Sequence, residues 1–426
     1  MEREFKDSGI EWIGRIPKEW KTCRLKDCAN LVLGKMLMST PPSGQSDKYT
    51  LEHYLKSKNI GWLELLLDNG VDEMWFSEEE KKNYLLNDGD IVMNEGGDIG
   101  KISIWHEQSY PCYIQNSVHK IVPQKTVHNV FLQYALYLAS FKGYLQSIVN
   151  QISIAHLTKE KLQNTPIIFP PLPEQERIAD YLDKKCSEID KLIALQEQMI
   201  AQLTDYKQSV ITEAVTKGLN SDAQLVPSDI DWIGDVPEEW MVSKAKYFVT
   251  INNGSDPKRE GNIPVYGSGA TSFKTCGEYK EGPTVLIGRK GATLHIPHFI
   301  EGKYWNVDTA FDVKTKGNMD LKYYFYLAIC FDYKYYISQT TLPGMAQSSY
   351  YNMSIPIPPL PEQRSIATYL DSKCSEIDSL IAIKQQKIET LKDYKKSVIY
   401  EAVTGKTVIG GARADLQSDR YEYKDF

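Results

Sequence analysis

The sequence contains no apolar run that approaches the roughly 20 residues a membrane-spanning helix requires. Its first residues, MEREFKDSG, are charged where a signal peptide carries an apolar stretch, so a cytoplasmic location is expected and no membrane partner. Cysteines number 7, odd and scattered, which excludes a disulfide framework and leaves reduced thiols as the expectation. Cys186 and Cys374 fall on apolar helix positions, Cys23 and Cys28 have no second ligand pair, and His295 and His298 flank a proline at an expected strand end. No metal site is therefore expected. An excess of positive charge is also missing: the net charge is −7, which argues against a uniformly basic nucleic-acid binder.

Catalytic signatures are equally scarce. GRKGAT at 288–293 lacks the G-x-x-x-x-G-K-[ST] spacing of a phosphate loop, and Gly267 and Gly269 supply only the first two glycines of G-x-G-x-x-G, with Ser272 third. Neither Thr40-Pro41-Pro42-Ser43 nor Phe169-Pro170-Pro171-Leu172 is the Asn/Asp-Pro-Pro-aromatic loop of an amino-methyltransferase. Glu301-x-Lys303 and Asp312-x-Lys314 have a spacing found in nucleases, but such triplets arise by chance in a charged chain. No catalytic residue is assigned.

What is present is repetition. Residues 170–216, PPLPEQERIADYLDKKCSEIDKLIALQEQMIAQLTDYKQSVITEAVT, return without a gap at 358–404, with roughly two thirds of positions identical. Pro173 and Pro361 suit the first turn of a helix, Glu174 and Glu362 suit its positive end, and no Pro or Gly follows before Gly218 and Gly405. Each copy is therefore expected as one helix on the order of 60 Å long. Its apolar residues form heptad rows: Ile178, Leu192, Met199 and Tyr206; Leu182, Ile189, Leu203 and Val210; and beside them Cys186, Ile193 and Ile200. The second copy repeats them as Ile366, Leu380 and Tyr394; Leu370, Ile377, Leu391 and Val398; and Cys374, Ile381 and Ile388. Such a stripe needs a partner, and the other copy supplies a matching one. Leu182, Ile189, Ile193 and Leu203 are expected to pair with Leu370, Ile377, Ile381 and Leu391.

A second repeat precedes each intervening stretch. SGIEWIGRIPKEW at 8–20 and SDIDWIGDVPEEW at 228–240 share W-I-G-x-(I/V)-P-x-E-W, which predicts an extended segment docked by its aromatics. The two lobes that follow differ almost completely in sequence. In the first, strands are expected at 90–93 and 101–105 around a Gly-rich turn at 94–100, with a helix at 130–150. In the second, strands are expected at 264–266, 284–287 and 293–296, turns at 267–269 and 289–291, and a helix near 321–338. NDGDIVMNEGGDIGKISIW and KEGPTVLIGRKGATLHIPHF correspond as strand, turn, strand, so a shared fold with different loops is predicted. Residues 241–355 carry about 13 Lys and Arg against about 9 acids, while the remaining acids lie mainly in helices and junctions, so DNA stays compatible with the overall charge.

With both repeats in view, the chain resembles the DNA specificity subunits of Type I restriction-modification enzymes over nearly its whole length. The resemblance implies an α+β architecture: two α/β target recognition domains separated by two long antiparallel coiled-coil helices with a pseudo-two-fold internal repeat. The expected division is a docking segment at 1–20, a first recognition domain at 21–169, a helix at 170–218, a linker and second docking segment at 219–240, a second recognition domain at 241–357, a helix at 358–406 and a tail at 407–426. It further implies a non-catalytic chain whose recognition domains each read half of a split double-stranded DNA site, the helices fixing the gap. The implied partners are two modification subunits and the restriction subunits; S-adenosylmethionine, ATP and Mg belong to those partners, and no cofactor to this chain. The surplus ends of the helices, with the W-I-G segments, are the expected place for the modification subunits.

Within the lobes, loop residues beside glycines are the candidate base readers, since glycine permits close backbone approach, Arg or Lys donates to guanine, and Asn or Gln pairs with adenine. These are Asn94, Glu95, Asp98 and Lys101 in the first lobe and Ser268, Arg289 and Lys290 in the second. Lys58 and Asn59, Gln151 and Ser153, and Thr340, Gln347 and Ser348 join them from polar loops. The alternative is that these glycines close hairpins and their neighbours are merely solvated. Two other classes stand beside the DNA reader. A self-sufficient DNA-modifying enzyme would need a cofactor motif that the chain lacks, and a coiled-coil adaptor would not need two dissimilar lobes behind near-identical helices.

Overall fold

The computed structural model describes residues 3–68, 70–149, 156–269, 271–337 and 343–410; Gln151, Ser153 and Thr340 lie outside them, as does most of the tail. The chain forms two units, Met1–Ala194 with Ile388–Phe426, and Leu195–Lys387, so the division falls inside both repeated helices rather than at their ends.

Each W-I-G segment supplies an extended strand that pairs, as a hairpin, with the residues just before it. Phe5–Asp7 pairs with Arg15–Pro17, and Leu225–Pro227 with Asp235–Pro237. Gly14 and Gly234, at φ 74° and 68°, take the left-handed conformation that the return of the chain demands. The last tryptophan of each segment, Trp20 or Trp240, is buried in its own unit.

In the first unit the lobe contains strands β1 (Ala29–Leu33), β2 (Tyr49–Leu55), β3 (Ile91–Asn94), β4 (Ile102–Ile104), β5 (Cys112–Ile114) and β6 (Val118–Pro123). An antiparallel sheet runs β1-β6-β3-β4, while β2 lies parallel to β5 and antiparallel to Asp72–Ser77. Helix α1 (Asn129–Phe141) follows; Phe131 through Ser140 are all buried, as its apolar composition on every face requires. It ends before Gly143, whose φ of 77° breaks the single helix expected at 130–150 into α1 and a short turn at Tyr144–Ser147. Helix α2 (Leu172–Lys217) then runs unbroken for 46 residues.

The second unit repeats the plan with β7 (Val249–Asn253), β8 (Ile263–Tyr266), β9 (Thr284–Gly288), β10 (His298–Ile300), β11 (Lys303–Asn306), β12 (Ala310–Thr315), helix α3 (Leu321–Ile329) and helix α4 (Leu360–Val403), of 44 residues. Its sheet order β7-β12-β9-β10 matches the first lobe strand for strand, and β8 is parallel to β11 as β2 is to β5. The strand expected at 293–296 is instead a turn. Leu294 N and Ile296 N bond back to Gly291 and Thr293 carbonyls, and Leu294 passes so close that a Cβ on Gly288 would lie 2.2 Å from its Cα. The strand starts only after Pro297.

The long helices pair within each unit. In the first, Leu182, Cys186 and Ile189 of α2 share a core with Val398 of α4, Ile193 and Leu391 pack against it, and Lys395 Nζ meets Asp190 at 2.8 Å. In the second, Leu370 and Cys374 share a core with Ile211, Val210 packs against it, and Lys207 Nζ meets Asp378 at 2.7 Å. Early α2 thus meets late α4 and late α2 meets early α4, an antiparallel pairing. Ile377 is buried, and Leu203 and Ile381 are half-buried. The spacing 182-186-189-193, repeated as 370-374-377-381, is the 4-3 alternation of a coiled-coil seam. One expected row is buried only at its start: Ile178 and Ile366 lie in the cores, whereas Leu192, Tyr206, Leu380 and Tyr394 are 48, 57, 47 and 44% exposed. These four stand one position outside the seam, so their faces point away from it.

Candidate nucleic-acid interface

The repeated helix residues hold each lobe in place. The Gln175 side chain accepts from His128 N at 2.9 Å and donates to Pro170 O at 2.8 Å, and the Gln363 side chain accepts from Asp320 N and donates to Asn318 O and Pro358 O, all at 2.8 Å. Both glutamines are fully buried and tie the helix start to the residue just before α1 or α3. One helix further, Tyr134 Oη donates to Asp183 at 3.0 Å and Tyr326 Oη to Asp371 at 2.7 Å. Trp20 Nε1 donates to Glu174 at 2.8 Å and Trp240 Nε1 to Glu362 at 3.0 Å. Opposite these rings stand Gly405 and Gly218, where a Cβ would come within 2.8 and 3.0 Å of the indole. The E and Q of P-P-L-P-E-Q and the last W of the docking segment are thereby explained as lobe anchors. Trp20 and Trp240 are buried in their own chain, as a segment docked by its aromatics requires.

On this frame, four loops of the first lobe meet at one end of its sheets. Asn94 Nδ2 donates to Ser57 O at 3.2 Å, Ser57 Oγ to Ser117 O at 3.3 Å, and Glu95 N to Ser117 O at 2.9 Å. Leu157 N donates to Glu95 O at 2.7 Å, and Gly96 bridges His156. The loop after β2, the turn after β3, the β5–β6 turn and the segment at 156–157 are thus sewn together. Below them His119 is fully buried with Nε2 2.6 Å from Leu157 O. A carbonyl only accepts, so Nε2 carries the proton; burial pushes this imidazole down to about 4.

The second lobe gathers the corresponding loops. Val307 N donates to Tyr266 O at 3.0 Å, Arg289 N to Thr309 O at 2.8 Å, Met345 N to Arg289 O at 2.9 Å and Gly291 N to Pro343 O at 3.0 Å, while Lys290 bridges Gly344. Ser268 Oγ lies 3.4 Å from Thr293 Oγ1, and Lys290 Nζ 3.6 Å from Asp308. Two glycines make the crossing possible in each lobe's own way: at Gly34 and Gly254 a Cβ would stand 2.3 Å from Gln115 O and 2.0 Å from Val307 O. No other residue fits there.

The candidate readers therefore divide. Lys58 is exposed, 3.4 Å from Asp72; Asp98 is exposed and pairs with Lys101 at 2.5 Å. Glu95 is half-buried, and desolvation raises its carboxyl above the ordinary value. Ser268, Arg289 and Lys290 are half-exposed at the second cluster, and Ser348 is exposed nearby on the helix Gln347–Asn352. Three of these side chains bond within the chain. Asn59 is buried, its amide donating to Leu66 O and Gly70 O and accepting from Lys56 N, so it closes its own loop. Asn94 is buried against Ser57, and Gln347 Nε2 donates to Ile251 O at 2.6 Å. Sequence reasoning missed Gln115, Asn116 and Ser117, and Asp308 and Thr309, which the β5–β6 and β11–β12 turns bring to the clusters. The polar run Q-N-S between two apolar strands was the available signal.

Among the described residues no helix is long and apolar enough to cross a membrane. Residues 17–205 and 237–393 match the family model of the Type I restriction modification DNA specificity domain. The chain is 25% identical to the Type I restriction enzyme MjaVIII specificity subunit of Methanocaldococcus jannaschii, over 92% of this chain and 94% of that one. It is 25% identical to the Type I restriction enzyme EcoBI specificity subunit of Escherichia coli over 56% of this chain and 48% of that one. Among solved structures, a chain from work on complex assembly and conformational transition of the type I R-M system aligns with a TM-score of 0.71 at 16% identity, covering 92% of this chain and 99% of that chain.

Proposed function

The chain belongs to the family of Type I restriction-modification DNA specificity subunits, and from that premise we propose that its two target recognition domains each read one half of a split, asymmetric DNA site. One observation carries this reading: two lobes of the same strand order converge equivalent loops at equivalent places and furnish them with unlike side chains. A shared scaffold with divergent tips is what two independent readers need, because backbone geometry sets where a base edge is met and the side chain sets which base is accepted.

The paired helices set the spacer between half-sites and dock the modification subunits. Support for docking comes from the apolar side chains that the seam leaves outside. Leu192, Leu195 and Tyr206 on α2 recur as Leu380, Ile383 and Tyr394 on α4, each at least 44% exposed. The same apolar pattern presented twice suits two copies of one partner. The chain acts as a recognition subunit without chemistry of its own; S-adenosylmethionine, ATP and Mg are held by the modification and restriction subunits.

Replacing residues 21–165 with the corresponding lobe of a relative tests the reading. Mapping methylated adenines in a host that carries the hybrid as its only copy is expected to show a split motif in which one half has changed and the other half and the gap have not. A motif changed in both halves, from a complex that still assembles, would count against independent readers.

A further inference from the structure

Glu95 and Arg289 occupy one and the same position of the shared scaffold. Each donates its N–H across the neighbouring turn, to Ser117 O at 2.9 Å or Thr309 O at 2.8 Å. Each accepts on its carbonyl from the segment before the last short helix, from Leu157 N at 2.7 Å or Met345 N at 2.9 Å. With the backbone clamped on both sides, the two side chains start from matched origins. Their chemistry is opposite: a carboxylate, which only accepts, against a guanidinium, which only donates.

The surroundings extend the contrast. Beside Glu95 the β5–β6 turn offers Asn116 and Ser117, with Ser117 Oγ 2.5 Å from Gln115 Oε1. Beside Arg289 stand Lys290 and Asp308. Arg289 lies 5.7 Å from the centre of the Phe311 ring and gives one N–H to Asp308 O at 3.4 Å, which orients the fork.

We propose that Arg289 reads a guanine in the half-site of the second lobe, and that Glu95 selects an amino-bearing base, cytosine or adenine, at the corresponding place in the half-site of the first. Guanine presents two acceptors, O6 and N7, in the major groove, matched to the Arg fork; cytosine N4 and adenine N6 present N–H donors, matched to a carboxylate. A carboxylate facing guanine O6 or thymine O4 sets acceptor against acceptor, so the first lobe rejects both. The two half-sites are then unlike in base chemistry at their matched positions, and the target cannot be a palindrome. This inference rests on the functional reading above.

The test is methylation by the assembled complex on duplexes in which each base of both half-sites is varied, with the lobe exchange assigning each half to its lobe. Wild type is expected to require guanine at one position of the second lobe's half-site. Arg289→Ala is expected to lose that preference, a change on the order of 10- to 100-fold at that position alone. Arg289→Lys keeps a cation over Phe311 and is expected to retain a weaker guanine preference, which guards against simple misfolding of the alanine variant. Glu95→Gln, which adds a donor, is expected to shift the first half-site toward adenine. A second half-site without guanine, or requirements unchanged in both Arg289 variants, would overturn the inference while leaving the split reader standing. The absence of any split motif would overturn both.

Discussion

His119 lies beneath the first lobe's loops, where the equivalent residue of the second lobe is Phe311, paired with Asn253 as His119 is with Leu33. Its imidazole falls from an ordinary 6.5 to about 4 on folding because burial disfavours the cation. Between those values the unfolded chain binds the proton and the folded chain does not, so stability is complete above pH 6.5 and is lost as pH falls toward 4. The full effect is on the order of 3 kcal/mol. His119→Phe, copying the second lobe, is expected to flatten the pH dependence by one proton over this interval, measured by urea unfolding of the purified chain across pH. A slope equal to that of wild type would place the acid sensitivity elsewhere. At this scale the sequence was only partly legible. Glycine-flanked polar loops marked where the loops of each lobe converge, yet an asparagine that reaches outward and one that closes its own loop, as Asn59 does, have the same letter. The difference lies in carbonyls such as Leu66 O and Gly70 O that tertiary structure brings near.

Elements were read better than residues wherever one chemical pattern ran long enough. The 4-3 spacing, the absence of Gly and Pro and the duplicate copy were sufficient to foresee two long paired helices and the stripe through Leu182, Ile189, Leu370 and Ile377 that forms their seam, though not that Leu192, one position away and equally apolar, stays outside it. Short elements depended on single events: Gly143 ended α1, and close passage of Leu294 over Gly288 displaced a strand past Pro297. The P-P-L-P-E-Q sequence looked like a helix start, and the structure adds its second task, holding the lobe. Gln363→Ala would leave two carbonyls and the Asp320 N–H without their partner, and the expected loss is about 3 kcal/mol. Urea unfolding should register it in the second unit, and an Asp371→Asn change, which keeps an acceptor for Tyr326, should cost much less. Equal losses in the two variants would deny Gln363 its anchoring part.

At the scale of the whole molecule, the spacer reading predicts that four residues inserted after Leu195 and again after Ile383 lengthen the gap of the target without altering either half-site. Four helical residues add about 6 Å, close to two base pairs, and turn the following seam by roughly 40°. Methylation mapping of the assembled variant checks it, and an unchanged gap would mean that something other than these helices spaces the two readers. A different consequence follows from the make-up of the two units. The second is one continuous stretch, Leu195–Lys387, whereas the first closes its core around Trp20 and Ile13 only with Val398, Ile399, Ala402 and Val403. On a ribosome adding about 5 to 20 residues per second, the first lobe waits on the order of 10 to 40 s after Ala194 for those residues to appear. The half of the protein made first is therefore the half completed last, and a transcript broken before codon 398 yields a finished second lobe beside a first lobe that still lacks the last pieces of its core.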